Sequence, residues 1–417
     1  MRGFEANSRL ERGMFLVATE STQGVSVSGG ATMKPRILLP IRLSQSALLL
    51  RARTLPRAVF VFSILLAYFL LLFHSCKDIG IPPDRIIPDS TSHGPDTTSH
   101  NFIWTIDTLG DGGGSVLNDV AIINDTLIYA VGEIYLKDST GQIDPLFYNL
   151  AVWDGASWSV QRVPYYYQGQ PFFNPFQAVF ALAADNVWFC GNGVMRWDGT
   201  QFIEMPVPGS VWGSNRMNKM WGTGNSMFVV GNGGSIAHFD GNGWTKIESG
   251  TTIDFQDIWG RSDPATFEEE ILAVASHTIF VPQERTLIQI KGFTLTNVTD
   301  NSLPLALSSV WFVSSQKYFL GGDGLFSRSP MDSLWKQETN VPNYYVENIR
   351  GSGLNDIVWA GGLGLVAHYN GASWHYYAGA EIPSLQGNYY AVDVHSKLAV
   401  AVGGIIGGKA IALLGKR

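Results

Sequence analysis

The sequence predicts an all-β fold built from one four-stranded unit repeated about seven times, and three observations carry that expectation. The first is composition: 46 glycines in 417 residues, 12% aromatic and 15% charged residues describe many short strands and tight turns. The second is a row of aromatics, Trp158, Phe202, Trp244, Phe293, Trp335 and Trp374, that open the fourth strand of successive units roughly every 40–50 residues. The third is a glycine step closing the second strand of each unit, at Val131-Gly132, Cys190-Gly191, Val230-Gly231, Leu320-Gly321, Ala360-Gly361 and Val402-Gly403. Glycine there allows a bend in a crowded place where a side chain would clash. In the fourth unit Leu272-Ala273-Val274-Ala275 stands there instead.

Taken in order, residues 1–57 form a basic N-terminal extension. Residues 1–76 hold nine Lys/Arg against Glu5, Glu11 and Glu20, and no acidic residue lies between Met33 and Cys76. The extension is too long for the flank of an export signal, so translation is expected to start at Met33, or residues 1–32 to be a disordered addition. Residues 58–76 read as a signal peptide or anchor. The apolar block AVFVFSILLAYFLLLF is shorter than the ~20 residues a spanning helix needs and suits a signal-peptide core. It ends in Phe73-His74-Ser75-Cys76, which resembles a bacterial lipoprotein lipobox. Ser75 and Cys76 match that pattern, while Phe73 and His74 depart from its aliphatic and small residues. The resemblance implies that Cys76 becomes the lipidated first residue of the mature chain; an uncleaved anchor helix is the alternative. Residues 77–101, with Pro82, Pro83, Pro88 and Pro95 among polar residues, form a flexible tether.

Residues 102–417 carry the repeat. Met217–Trp221, Phe255–Trp259 and Leu307–Trp311 alternate polar and apolar residues, as first strands do. Units are expected to begin near Val116, Ala178, Met217, Phe255, Leu307, Val346 and Tyr390. Lys409–Gly415 reads as a third strand with no fourth after it, and Phe102–Ile106 as a fourth strand with no unit before it. Pairing the two closes a ring and removes the open sheet edges. The expectation is a seven-bladed β-propeller closed by an N-terminal strand, with six or eight as the bounding counts.

The segment Trp153-Asp154-Gly155-Ala156-Ser157-Trp158 resembles the W-D-G-x-x-W repeat of exported bacterial propellers. It is more distantly similar to sialidase Asp-box and photosystem-assembly-factor propellers. Asp240, Gly241, Gly243 and Trp244 match the Asp-box loosely. The resemblance implies a propeller fold and a structural turn. The residues agree: Asp154, Asp198, Asp240 and Asn370 can accept backbone N–H bonds while the next glycine takes a positive φ. One acid per turn falls short of the six to eight oxygens calcium takes. No metal and no cofactor is expected.

Candidate chemistry is sparse. His238 and His368 occupy one repeated position of two blades and read as structural. Cys190 sits among apolar residues and reads as an inert thiol. No catalytic residue is assigned, since no nucleophile elbow is visible and the arginines have no sialidase-like context. Residues 77–417 carry thirteen more acidic than basic side chains, which argues against nucleic acid as a partner. Aromatics gathered in loops are the more informative feature. Tyr165, Tyr166, Tyr167, Phe172, Phe173, Tyr344, Tyr345, Tyr376, Tyr377, Tyr389 and Tyr390 are expected to share one face and to form a protein or glycan site. The expected function is a non-enzymatic, exported binding or assembly module, lipid-anchored at the bacterial envelope in the periplasm or on the cell surface. The alternative is a carbohydrate-active enzyme or lectin working at the propeller axis.

Overall fold

The computed structural model describes residues 97–262, 269–277, 284–298, 300–313, 315–382 and 386–417. The apolar block, Cys76 and the tether up to residue 96 lie outside them. Seven four-stranded antiparallel sheets follow one another along the chain, here numbered blades 1–7 with strands A to D. The A strands are Gly112–Asn124, Ala178–Ala183, Met217–Thr223, Phe255–Ser262, Leu307–Val313, Val346–Gly353 and Gly387–His395. Five begin where the sequence pattern puts them; the first and last begin a few residues earlier. Each A strand packs against the A strand of the next blade, and the seventh against the first. The seven therefore close a ring around a central axis.

Ring closure uses both ends of the described chain. Ile103–Thr108 pairs antiparallel with Lys409–Lys416 as strand D of blade 7, in register from Ile103↔Lys416 to Thr108↔Ile411. Residues leading into it are pinned to blade 6. Thr98 N–H donates to Asn370 O (3.1 Å), and the Tyr377 hydroxyl donates to His100 O (2.8 Å). The His100 and His368 rings meet at Nδ1 (2.8 Å), His368 Nε2 lies 3.0 Å from Asp356 Oδ1, and Arg417 lies 2.7 Å from Asp356 Oδ2. The joint thus combines a β ladder with a buried ion pair.

The glycine step has a steric cause. A Cβ at Gly132, Gly191, Gly231, Gly361 or Gly403 would lie within 2.3 Å of a backbone oxygen of the adjoining A-strand segment, for example 2.1 Å from Arg216 O at Gly231. In blade 5 the residue under that oxygen is Gly322, 1.9 Å from Ala306 O, one position beyond the Gly321 chosen from sequence. Blade 4 places Ala275 opposite Phe255.

A second repeated device lies beside it. Where the A strand meets strand B the register slips by one residue, at Leu117/Asp119, Met217/Lys219, Phe255/Asp257, Leu307/Ser309, Val346/Asn348 and Tyr389/Ala391. A β-bulge inserts one residue and re-aims the side chains around it. The inserted residue sits at the end of the axis nearest the D-to-A links.

Candidate binding face

Strand direction sorts the loops. A-to-B and C-to-D turns lie on one face, the turn face; B-to-C loops and D-to-A links lie on the other, the link face. The turn face carries the repeated acids. Asp154, Asp198, Asp240 and Asn370 each accept two backbone N–H bonds through Oδ1 at 2.8–3.0 Å. Gly155, Gly199, Gly241 and Gly371 follow at φ of 92–97°. Hydrogen bonds from the turn's own backbone hold Asp154 and Asp240 below the usual carboxylate range. At Asp198 the Thr200 hydroxyl and the backbone bring the carboxyl to about 2.

The axis holds the charges. Arg350 clamps Asp257 with two N–H bonds of 2.7 and 2.9 Å. Ser309 Oγ (2.6 Å) and Val310 N–H (3.0 Å) donate to the same carboxylate. Burial pushes the Asp257 carboxyl up, and the guanidinium and hydroxyl outweigh it, so it stays below the ordinary value. Lys219 Nζ reaches Asp119 at 2.6 Å. The remaining bonds tie blade to blade: Val179 N–H donates to Asp119, Val392 N–H to Asn348 and Ile122 N–H to Asp393. Between these groups remains a space of about 20 Å³, lined by Asp119, Lys219, Trp259, Arg350 and Asp393 among others. That is room for about one water.

At the link-face mouth of the axis three bulge residues stitch neighbouring blades. Asn118 Nδ2 donates to Phe176 O (2.9 Å), Asn218 Nδ2 to Phe255 O (2.8 Å), and Ser308 Oγ to Val346 O. In blade 6 the position holds Glu347. Among the described residues none donates a hydrogen bond to Glu347 or forms an ion pair with it. Burial raises its carboxyl to about 7.

The two candidate histidines sit away from the axis, on strand C. His238 stacks on Phe228 at 4.3 Å and bonds Ser226 at 2.7 Å; burial lowers its pKa. His368 is fully buried in the closure joint. Among the described residues no three His, Cys, Asp or Glu side chains cluster so as to hold a metal ion. Cys190 is buried and unpaired, and burial pushes its thiol up.

The aromatic residues divide. Tyr165–Tyr167 and Gln170–Phe172 form a β-hairpin in the link from blade 1 to blade 2. Its tip shows Tyr166 at 58% and Tyr167 at 68% exposure. Phe172 is partly exposed and stacks on Tyr165 at 5.7 Å; Phe173 is half-buried. Tyr344, Tyr376 and Tyr390 are exposed, and Tyr345 is half-buried.

Three of the expected face residues belong to the core instead. Tyr165 packs under the hairpin against Phe176 (5.9 Å). Tyr377 ends strand Trp374–Tyr377 and packs against Trp104 (5.0 Å). Tyr389 takes the inward position occupied by Leu117, Phe255 and Leu307 elsewhere. Tyr376, Tyr377, Tyr389 and Tyr390 thus lie in strands and not in the link between blades 6 and 7.

A larger feature of the link face escaped sequence reading. A groove of about 770 Å³ crosses the top of blade 3. Its walls come from three separate connections: the helical turn Gly209–Trp212, the loop Gly233–Ser235 and the link Ser249–Ile253. Trp212 Nε1 donates to Asn215 O (2.6 Å), and Gly233 N–H to Asp254 (2.7 Å). Only the hydroxyl-rich composition of those links signals it, because the three segments meet through tertiary packing.

No family model matches the chain, and no curated protein matches it. The fold and its closed ring define it as a member of the β-propeller class of proteins. Among solved structures, one described as YCF48 bound to D1 peptide has a TM-score of 0.54 at 15% identity, covering 78% of this chain and 99% of that one. YCF48 from Cyanidioschyzon merolae gives 0.50 at 14% identity, covering 74% and 98%. The RRP9 WD40 repeats give 0.52 at 8%, covering 75% and 97%. At these identities the likeness is one of fold.

Proposed function

We propose that this chain is a non-enzymatic binding or assembly module that takes a protein partner on its link face. The observation that carries the reading is the hairpin Tyr165–Phe172, which extends aromatic side chains with polar tips into solvent. Tyrosines lose little side-chain entropy on contact and offer both apolar area and a hydrogen bond. The solved structure of like fold whose description names a bound D1 peptide supports a protein ligand. We further propose export, lipidation at Cys76 and residence at the bacterial envelope, all resting on the sequence of residues 58–76. A carbohydrate-active site on the axis has less support, because glycoside hydrolysis needs a pair of carboxyl groups free to act on the sugar, one as acid and one as base or nucleophile. Asp119, Asp257 and Asp393 are each engaged in joining blades.

The test is crosslinked capture from envelope extracts with the full chain and with Tyr166→Ala/Tyr167→Ala. The double variant is expected to melt within about 1 °C of the parent, as exposed side chains usually contribute little to stability, and to lose its partner. Unchanged capture would falsify the assignment. A glycan bound with the same dependence on these tyrosines would favour the glycan version of the site.

A further inference from the structure

Three of the bulge residues share one job around the axis, Gln256 donates within its own blade instead, and Glu347 of blade 6 holds a carboxyl at the same position. Asn118, Asn218 and Ser308 each donate to a carbonyl of the following blade. An ionised carboxylate has no proton to donate. Once ionised, Glu347 has no proton with which to stitch blade 6 to blade 7, and no described residue donates to it or pairs with it. Its bulge-position neighbours around the mouth are neutral: Ser308 on blade 5, Tyr390 on blade 7 and the amides of Asn118, Gln177, Asn218 and Gln256. The cations of the axis are already spent, Lys219 on Asp119 and Arg350 on Asp257.

We propose that the mouth of the axis is a binding site for a lysine or arginine side chain presented by a protein partner, with Glu347 as its counter-charge. The proposal rests on the reading of the link face as the partner face. A guanidinium donating two N–H bonds satisfies both carboxylate oxygens, and such charge-assisted pairs are the strong ones. Partial burial strengthens the pair, because the carboxylate is already stripped of part of its water. Tyr390, on the next blade and 39% exposed, offers a ring face to the same cation. The acidic excess of residues 77–417 draws a basic partner from a distance and speeds its encounter.

The pH behaviour follows from the groups around the site. Glu347 faces Tyr345 in the link before it, with exposed Asp323 of blade 5 bridged to Tyr345 through the backbone. Arg350 of its own strand is held by Asp257. Tyr389 and Tyr390 lie on blade 7. Burial raises the Tyr345 phenol to about 12 and the Tyr389 phenol further still, so neither of these two ionises near neutrality. Glu347, at about 7, ionises there.

The experiment is calorimetric titration of the full chain with acetyl-Gly-Arg-Gly-amide, and with acetyl-Gly-Gln-Gly-amide as the neutral control. Between pH 6 and pH 8 the arginine peptide is expected to bind about tenfold more tightly, as the carboxyl passes from mostly protonated to mostly ionised. Glu347→Ser, whose hydroxyl can repeat the Ser308 stitch, is expected to weaken binding more than tenfold at pH 8 while keeping the parent's circular dichroism and melting no lower than the parent. Equal affinity of parent and Glu347→Ser at pH 8 overturns the proposal, as does equal binding of the two peptides. Failure here is separable from failure of the partner face. If Tyr166→Ala/Tyr167→Ala loses its partner while Glu347→Ser keeps it, only the Glu347 site is lost. If the peptide binds through Glu347 while the tyrosine variant still captures its partner, the hairpin assignment is lost instead.

Discussion

The axis and the blade 1–2 hairpin both gather residue types that suggest function, and they differ in how completely those groups are used. At the axis, Asp257 receives two bonds from Arg350, one from Ser309 and one from the backbone of blade 5. At the hairpin, Tyr166 and Tyr167 stand in solvent. Satisfied charges in a narrow channel hold the ring together; aromatic area left in water is available to something else. Glu347 lies in the axial region yet belongs, by this criterion, with the hairpin. Engagement by partners sorts structure from function better than residue type does.

That contrast can be broken from its strongest side first. Arg350→Ala leaves Asp257 buried with an unpaired charge, so unfolding stability should fall by about 3–5 kcal/mol in chemical denaturation. A smaller loss would mean the axis is wetter than its geometry implies. Gly231→Ala forces a methyl toward Arg216 O and should cost about 1–3 kcal/mol, whereas blade 4 already carries Ala275 at that place. Glu347 tests the sign of an unsatisfied group. Its folded pKa lies above the ordinary 4.5, so its stabilising share is fully present below about 4.5 and is lost as pH rises through 7. His100, brought down to about 4 chiefly by burial, acts oppositely, gaining stability as pH rises toward 6.5. The difference in melting temperature between parent and Glu347→Ser isolates the carboxyl: it should widen in the variant's favour from pH 5 to pH 8. The smallest stability effect belongs to Tyr166→Ala/Tyr167→Ala, which should leave the melting temperature unchanged.

Much of the architecture is legible in the sequence because it repeats. The aromatic row and glycine step carry the blade period, and the missing fourth strand after Lys409–Lys416 identifies Ile103–Thr108 as its replacement. Which aromatics face solvent is less legible, since the bulge shifts register by one residue. It sends Tyr389 inward and leaves Tyr390 at the mouth, a distinction that two adjacent tyrosines do not announce. The pairs Asp119–Lys219 and Asp257–Arg350 join residues on different blades, and only the closed ring brings them within reach. The blade 3 groove is hidden for the same reason, its walls being three links that meet only after folding.

The closure joint also sets an order of events in time. Ile103–Thr108 is the first of the described strands to be made, and its partner Lys409–Lys416 is the last of them. During synthesis the opening strand must wait, unpaired, for nearly the whole body to appear. Contacts so distant along the chain form late and slowly. The alternation of Thr105 and Asp107 with Trp104 and Ile106 gives that waiting strand one polar face, and the Asp107 charge discourages pairing with a neighbour's strand in the interval. Arg417 follows that strand directly and reaches Asp356, so the ion pair locks the joint once the strand is in place.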